Sequence, residues 1–153
     1  VISVVLYLLS LPAIYQAFHS VSPMLTISTC LCIGLYGLGD CVFTGLFSVT
    51  SSNGSWNLAT WIHNIGSGIG YAGFLLFPLS VCLIYRKQHL LQVSNIYLIF
   101  LGLSITFALL YGLARLPKLS NYTVFAQLGL WQRVSFFFNY LPIVFFSIQN
   151  IKK

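Results

Sequence analysis

The chain has 153 residues, of which 58% are hydrophobic and only 5% are charged. A soluble domain carries roughly 25% charged residues, so this composition excludes an ordinary water-soluble globular protein. It indicates an integral membrane protein whose first partners are membrane lipids. The formal net charge of +6 does not indicate nucleic-acid binding, because no basic stripe interleaved with aromatic residues accompanies it.

The apolar segments predict an all-α fold, a transmembrane bundle of five spanning helices, because a spanning helix needs about 20 predominantly apolar residues. The polar stretches between them are too short for a second domain, so residues 1–153 are predicted to form a single transmembrane helical domain. In chain order, the predicted helices are Val1–Phe18, Leu25–Val49, Leu58–Tyr85, Asn95–Leu116 and Gly129–Asn150.

Two short clusters of basic residues predict the orientation of the bundle. Arg86–Lys87 follows the third predicted helix, and Lys152–Lys153 follows the fifth. Lysine and arginine are enriched in cytoplasmic loops, so we expect both clusters to be cytoplasmic. The turn at Thr50–Asn57, which is rich in serine and asparagine, then faces outward.

Asp40 is the one acidic residue of the chain, and it lies inside the second predicted helix. A carboxylate at the centre of a bilayer helix costs about 2.5–3.5 kcal/mol on insertion scales. We therefore expect Asp40 to face protein or a water-filled cavity and to have a partner there. Two interpretations stay open: a single ion pair or hydrogen bond that fixes helix packing, or a functional group.

His63 lies about two turns into the third predicted helix, at a depth similar to that of Asp40 across the turn. A carboxylate and an imidazole at one depth would form a proton-handling or hydrogen-bonding pair. The alternative, which we favour, is a buried histidine that bonds Asn64, a serine or a backbone carbonyl.

Two arginines are predicted at the same level, Arg115 at the end of the fourth helix and Arg133 near the start of the fifth. Arginine can bind a carboxylate or a lipid phosphate through two hydrogen bonds. We predict that Arg133 pairs with Asp40, and that Arg115 extends toward the headgroups and is the next candidate. The candidate polar site thus comprises Asp40, His63, Asn64, Arg115 and Arg133.

Gly66, Gly70 and Gly73 share one face of the third predicted helix, because they are spaced four and three residues apart. A face without side chains lets a second helix approach closely. These glycines are therefore predicted to pack helices together. They are not predicted to bind phosphate, since no strand precedes them.

Neither a metal site nor a cofactor is predicted. The four cysteines lie in apolar runs and are interpreted as small buried hydrophobic residues. His19 and His89 are expected in loops, so His63 has no second histidine for haem. Catalytic motifs such as G-x-S-x-G and H-E-x-x-H are absent, and one acidic residue excludes a mechanism with two carboxylates in this chain.

Three stretches carry a resemblance to a known family. An acid follows glycines in Gly37–Phe47, an early histidine precedes a proline in His63–Pro78, and the last helix opens with GLWQR at Gly129–Arg133. The chain resembles a bacterial multi-pass membrane family described only as a domain of unknown function, similar in general shape to Frag/DRAM/Sfk-type membrane proteins. The resemblance implies the bacterial cytoplasmic membrane and a six-helix bundle, with a further helix before Val1. It implies no activity.

Two classes of function follow. The favoured class is a non-enzymatic membrane protein that binds a lipid or other apolar ligand, or that serves as a subunit of a membrane complex. The alternative is an intramembrane enzyme or proton-coupled carrier with a small outward-facing site of Asp40, His63 and Arg133. The first is favoured because the polar set is small. An Asp40–His63 pair at an open cavity would favour the second, and a dry bundle with Asp40 bound to arginine would favour the first.

Overall fold

The structure is a computed structural model, and it describes residues 2–49, 51–52, 55–116, 118–119 and 122–151. It is helical apart from one short hairpin, which confirms the all-α prediction. The helices are α1 (Ile2–Phe18), α2 (Pro23–Tyr36), a π-helix π1 (Gly37–Phe43), α3 (Thr44–Leu46), α4 (Leu58–Lys87), α5 (Leu91–Ala114) and α6 (Leu128–Ile151).

Three helices in the described part of the chain are long and apolar enough to cross a membrane. They are Pro23–Leu46, in which α2, π1 and α3 follow one another without a break, Leu58–Lys87 and Leu91–Ala114. Helix α1 is apolar but shorter, with 17 residues. Helix α6 has 24 residues and is not among these three. Of the five predicted spans, three are therefore supported by length and composition.

The helix boundaries differ from the predicted ones for local reasons. Helix α2 starts at Pro23, whose missing N–H costs nothing at the first helical position. Helix α4 continues to Lys87, and α5 begins as early as Leu91. His89, between them, has a φ of 60°. This left-handed conformation reverses the chain within a few residues, so the connection is shorter than the predicted one between Tyr85 and Asn95.

The turn before α4 contains a small antiparallel ladder. Strand β1 (Ser51–Ser52) pairs with β2 (Ser55–Trp56). Asn57 then caps α4, since its side-chain oxygen accepts a hydrogen bond from the Thr60 backbone N–H at 2.8 Å. We call this end of the bundle the hairpin end, and the end that carries Arg86 and Lys87 the basic end.

Helix α4 is the centre of the bundle. It packs along α2 and π1 on one side and along α5 on the other, while α1 packs on α2 and α6 packs mainly on α5. The apolar core lies toward the basic end, where Phe77, Val81 and Ile84 of α4 are almost completely buried. The cysteines are free thiols: Cys32 and Cys82 are buried, and Cys30 and Cys41 are half-buried.

The glycine face of α4 lies directly against the helix that carries Asp40. A Cβ added to Gly70 would lie 2.6 Å from the Asp40 backbone nitrogen, and one added to Gly73 would lie 2.7 Å from the Cys32 carbonyl oxygen. On the opposite helix, a Cβ on Gly39 would lie 2.3 Å from the Gly66 carbonyl oxygen. The two backbones therefore approach each other directly at Gly39, Gly70 and Gly73, whereas at Gly66 the Phe43 side chain occupies the space of the missing Cβ.

We expect Gly70→Ala to destabilise the protein, because the added methyl meets backbone atoms that cannot move without separating the helices. Overpacking of this kind costs about 1–3 kcal/mol, which thermal unfolding in detergent would detect. Gly68→Ala is the matched control, since nothing lies within 4 Å of its added Cβ, and it should be neutral or mildly stabilising. Equal melting temperatures for the two variants would contradict the packing role of Gly70.

Candidate functional site: a polar groove at the hairpin end

Two adjoining cavities form one groove across the hairpin half of α4. They have volumes of about 390 Å³ and about 700 Å³. Both are lined by His63 and Ser67 of α4 and by Gln132 and Phe136 of α6, so they are continuous. Each volume lies within the range of small-molecule sites, about 300–1,000 Å³.

The smaller cavity, which we call the Asp40 cavity, lies between α2 and α6 with α4 as its floor. Besides the shared residues it is lined by Tyr36, Asp40, Thr44 and Tyr140. Helices α2 and α6 pack only sparsely against each other. A hydrogen bond between the hydroxyls of Tyr36 and Tyr140 bridges them at this point. The space between the two helices is therefore an open crevice with a hydroxyl bridge across it.

The larger cavity, which we call the Arg115 cavity, lies between the hairpin ends of α4, α5 and α6. Asn64 and Tyr71 of α4 and Tyr111 and Arg115 of α5 contribute to its lining. The Arg115 guanidinium lies 5.7 Å from the centroid of the Tyr111 ring, a distance typical of a cation–π contact. The groove thus has an acid at one end and an arginine at the other.

Asp40 is held at the groove by the π-helix. Its carbonyl oxygen accepts a hydrogen bond from the Thr44 hydroxyl, and its backbone lies against Gly70. The Ser67 side chain is in hydrogen-bond contact with the carboxyl group, and His63 is near enough to interact with it electrostatically. The carboxyl oxygen Oδ2 is buried and has no hydrogen-bond partner.

The π-helix itself was not predicted from the sequence. Segments of π-helix are rare and occur frequently at functional sites. Here two glycines of π1 meet neighbouring elements closely: Gly37 faces Val4 of α1, and Gly39 faces the backbone of α4. The sequence signal that could have indicated an irregular segment is GLGD at 37–40, where two glycines precede the only acid.

His63 forms its hydrogen bond with a backbone carbonyl and not with Asp40. Its Nδ1 lies 2.7 Å from the carbonyl oxygen of Phe47. Phe47 directly follows α3, at the end of the continuous helical segment that begins with α2. Because a carbonyl can only accept, Nδ1 carries the hydrogen of this bond. The histidine therefore satisfies a carbonyl at a helix end while its ring also lines both cavities.

The predicted ion pair between Asp40 and Arg133 is wrong. Arg133 is exposed and lines neither cavity. The residues of α6 that face the groove are Gln132 and Phe136, four residues apart. Arg133 lies seven residues before Tyr140, near the same face of α6, but about two turns closer to the hairpin end, and it does not contribute to the lining of the groove.

The other predicted site residues line the groove. Asp40 lines one cavity, Asn64 and Arg115 line the other, and His63 lines both. Sequence reasoning missed Ser67 and Gln132. Ser67 could have been found from its position four residues after His63, on the same helix face. No sequence pattern indicated Gln132, because tertiary packing decides which face of α6 is turned toward the other helices.

The fold and the groove define an all-helical protein with helices of membrane-spanning length and a polar groove at one end. The chain belongs to the family described as "Protein of unknown function (DUF998)", whose model matches residues 1–149. The resemblance to a family of unknown function is thereby confirmed. No curated protein sequence and no solved structure matches the chain.

We expect Arg133→Gln to change the free energy of unfolding by less than about 0.5 kcal/mol, as for a surface substitution without special contacts. Because the two side chains do not meet, its effect should add to that of Asp40→Asn. A double-mutant cycle by thermal or denaturant unfolding in detergent measures this. A coupling energy above about 1 kcal/mol would show that the two residues interact after all.

Proposed function

We propose that the chain is a multi-pass protein of the bacterial cell membrane that binds a lipid or similar amphipathic ligand, with the polar part of the ligand in the groove at the hairpin end. The observation that carries this proposal is the groove itself, with His63, Ser67 and Gln132 at its centre and an open crevice between α2 and α6. The bacterial location rests on the resemblance of Gly37–Phe47, His63–Pro78 and Gly129–Arg133 alone.

The setting of the groove favours an amphipathic ligand over a water-soluble one. Its lining offers hydroxyl, amide and imidazole groups, which can bind a polar headgroup. The outer faces of the helices beside it are apolar, with Leu35, Leu38 and Leu109 exposed. In a membrane such faces contact acyl chains, so a lipid can keep its chains in the bilayer while its headgroup enters the crevice.

A second candidate function is an intramembrane enzyme or proton-coupled carrier. The specific observation in its favour is that Asp40, with its unpartnered Oδ2, lies near His63 at an open cavity. A carboxyl and an imidazole that share a cavity can exchange protons with a bound group or with water. The open cavity is the outcome that favours this class, but the predicted Asp40–His63 hydrogen bond is not formed, because His63 bonds the Phe47 carbonyl. Since that pair is absent and the polar set is small, we place ligand binding without chemistry first.

We expect Ser67→Trp to fill the junction of the two cavities and to abolish retention of lipid by the purified protein. Native mass spectrometry from a mild detergent measures retained lipid. Ser28→Trp is the matched control, because Ser28 is an exposed serine on α2 that bonds only its own helix at Met24. It should retain lipid as the wild type does.

Thermal unfolding of both tryptophan variants shows whether each is folded. If a folded Ser67→Trp protein retains as much lipid as the Ser28→Trp protein, the groove is not the binding site. If the wild type itself retains no lipid under conditions that preserve its fold, lipid binding is not the function.

We expect the hairpin end to face outward and the basic end to face the cytoplasm, because of the positive charge at Arg86 and Lys87. Single cysteines at Ser52 and Gln88, in a chain whose four native cysteines are replaced, test this with an impermeant thiol reagent on intact cells. The reagent should label the first and not the second. The reverse pattern would mean that the orientation is inverted.

A further inference from the structure

Asp40 lacks a fixed cationic partner within the described chain. No lysine or arginine lines the Asp40 cavity. Two polar side chains of α4 act on its carboxyl: Ser67, which offers one hydrogen bond, and His63, whose Nδ1 is already bound to Phe47. An ionised carboxyl without a counter-ion is costly in a low-dielectric surrounding. A bound ligand that carries a positive group would remove that cost.

The other walls of the Asp40 cavity suit the same kind of group. Tyr36, Tyr140 and Phe136 line it from two helices. The rings of Tyr36 and Tyr140 stand perpendicular, with centroids 5.9 Å apart. Aromatic faces attract ammonium groups through their quadrupole, and a carboxyl among aromatic rings is a common recognition site for cations. Tyr36 is almost completely buried, so Tyr140, which is 36% exposed, offers the more accessible ring. This ring and the carboxyl together favour a cation at this end of the groove.

The opposite end of the groove suits an anion. Arg115 lines the Arg115 cavity, and a guanidinium binds phosphate through two parallel hydrogen bonds. Gln132 lines both cavities and can donate a further hydrogen bond. No acidic side chain competes with an anion there, since Asp40 is the only acid of the chain and lines the other cavity.

We infer that the groove recognises a phospholipid with a primary ammonium headgroup, its ammonium bound by Asp40 among the tyrosines and its phosphate by Arg115. This inference rests on the proposed lipid-binding function and names the lipid class. A primary ammonium has three N–H donors for the carboxyl and hydroxyl oxygens of the cavity. A headgroup without a cation leaves Asp40 unpaired and should bind less tightly.

The test compares lipids of different headgroup on the delipidated full chain in detergent, with the dissociation constant of each measured by native mass spectrometry. Wild type should bind phosphatidylethanolamine about tenfold more tightly than phosphatidylglycerol, as expected for one charge-assisted hydrogen bond. Asp40→Asn should remove this preference and leave the affinity for phosphatidylglycerol unchanged. Arg115→Gln should weaken the binding of both lipids.

Arg133→Gln is the matched control for Arg115→Gln, because it removes an arginine from the same end of the bundle but outside the groove. It should leave both affinities unchanged. Thermal unfolding shows that each variant is folded, and the comparison of lipids on the wild type tests the inference without any variant. Asp40→Glu, which keeps the carboxyl, should retain part of the preference.

The outcomes separate this inference from the proposed function. Equal binding of the two lipids by the wild type, with loss of both in Ser67→Trp, would overturn the ammonium inference and leave lipid binding in place. Absence of binding to any lipid would overturn both. Displacement of phosphatidylethanolamine by soluble glycerophosphoethanolamine at equal concentration would mean that a water-soluble ammonium phosphate is the ligand, and the lipid assignment would be wrong.

Discussion

The direct backbone contact between π1 and α4 is the constraint on which the rest of the hairpin half depends. Gly39 lies against Gly66 and Gly70, and Gly70 lies against the backbone nitrogen of Asp40. Because glycines stand on both sides of the contact, the two backbones can approach closely. That approach brings Asp40 beside Ser67 and His63. A larger separation would move the carboxyl away from Ser67 and His63.

The two halves of the bundle serve different physical purposes. Toward the basic end, aromatic and aliphatic side chains fill the space between helices: Phe18, Phe77 and Phe146 meet there with ring centroids 5.6 Å apart in successive pairs. Close packing of this kind stabilises the fold. Toward the hairpin end, α2 and α6 separate and polar groups line the gap. The apolar half can hold the helices in place while the polar half stays open.

The sequence predicted the features that follow from local pattern. Apolar runs located the helices, and the spacing of Gly66, Gly70 and Gly73 predicted a close contact. Equal depth from the turn predicted that His63 and Asp40 lie near each other, which the structure shows. These inferences need only the rise of a helix and its period, so they require no knowledge of how distant segments pack.

The features that the sequence could not predict depend on tertiary packing. Packing in three dimensions decides that Gln132 and not Arg133 lines the groove. A helix with apolar residues all round, as in Phe136–Phe138, gives no pattern from which its orientation can be read. The bond from His63 to the Phe47 carbonyl depends on where the preceding helix ends. The π-helix depends on the contacts of its glycines, and propensity alone does not distinguish it from an α-helix.

Within the described part of the chain, Asp40 has no cationic partner in its cavity, and its Oδ2 has no hydrogen-bond partner. This is the strongest argument that the hairpin half of the bundle binds a group from outside the chain. The chain has seven lysines and arginines against one acid, so a structural ion pair would have been easy to form. Instead Arg133 is exposed and lines neither cavity, and Arg115 lines the neighbouring cavity. A carboxyl that only fixed helix packing would be better stabilised by one of these cations or replaced by an apolar residue. Asp40 lies at an open cavity, and the close contact with Gly70 holds it there. This position is explained if Asp40 binds a ligand or a proton.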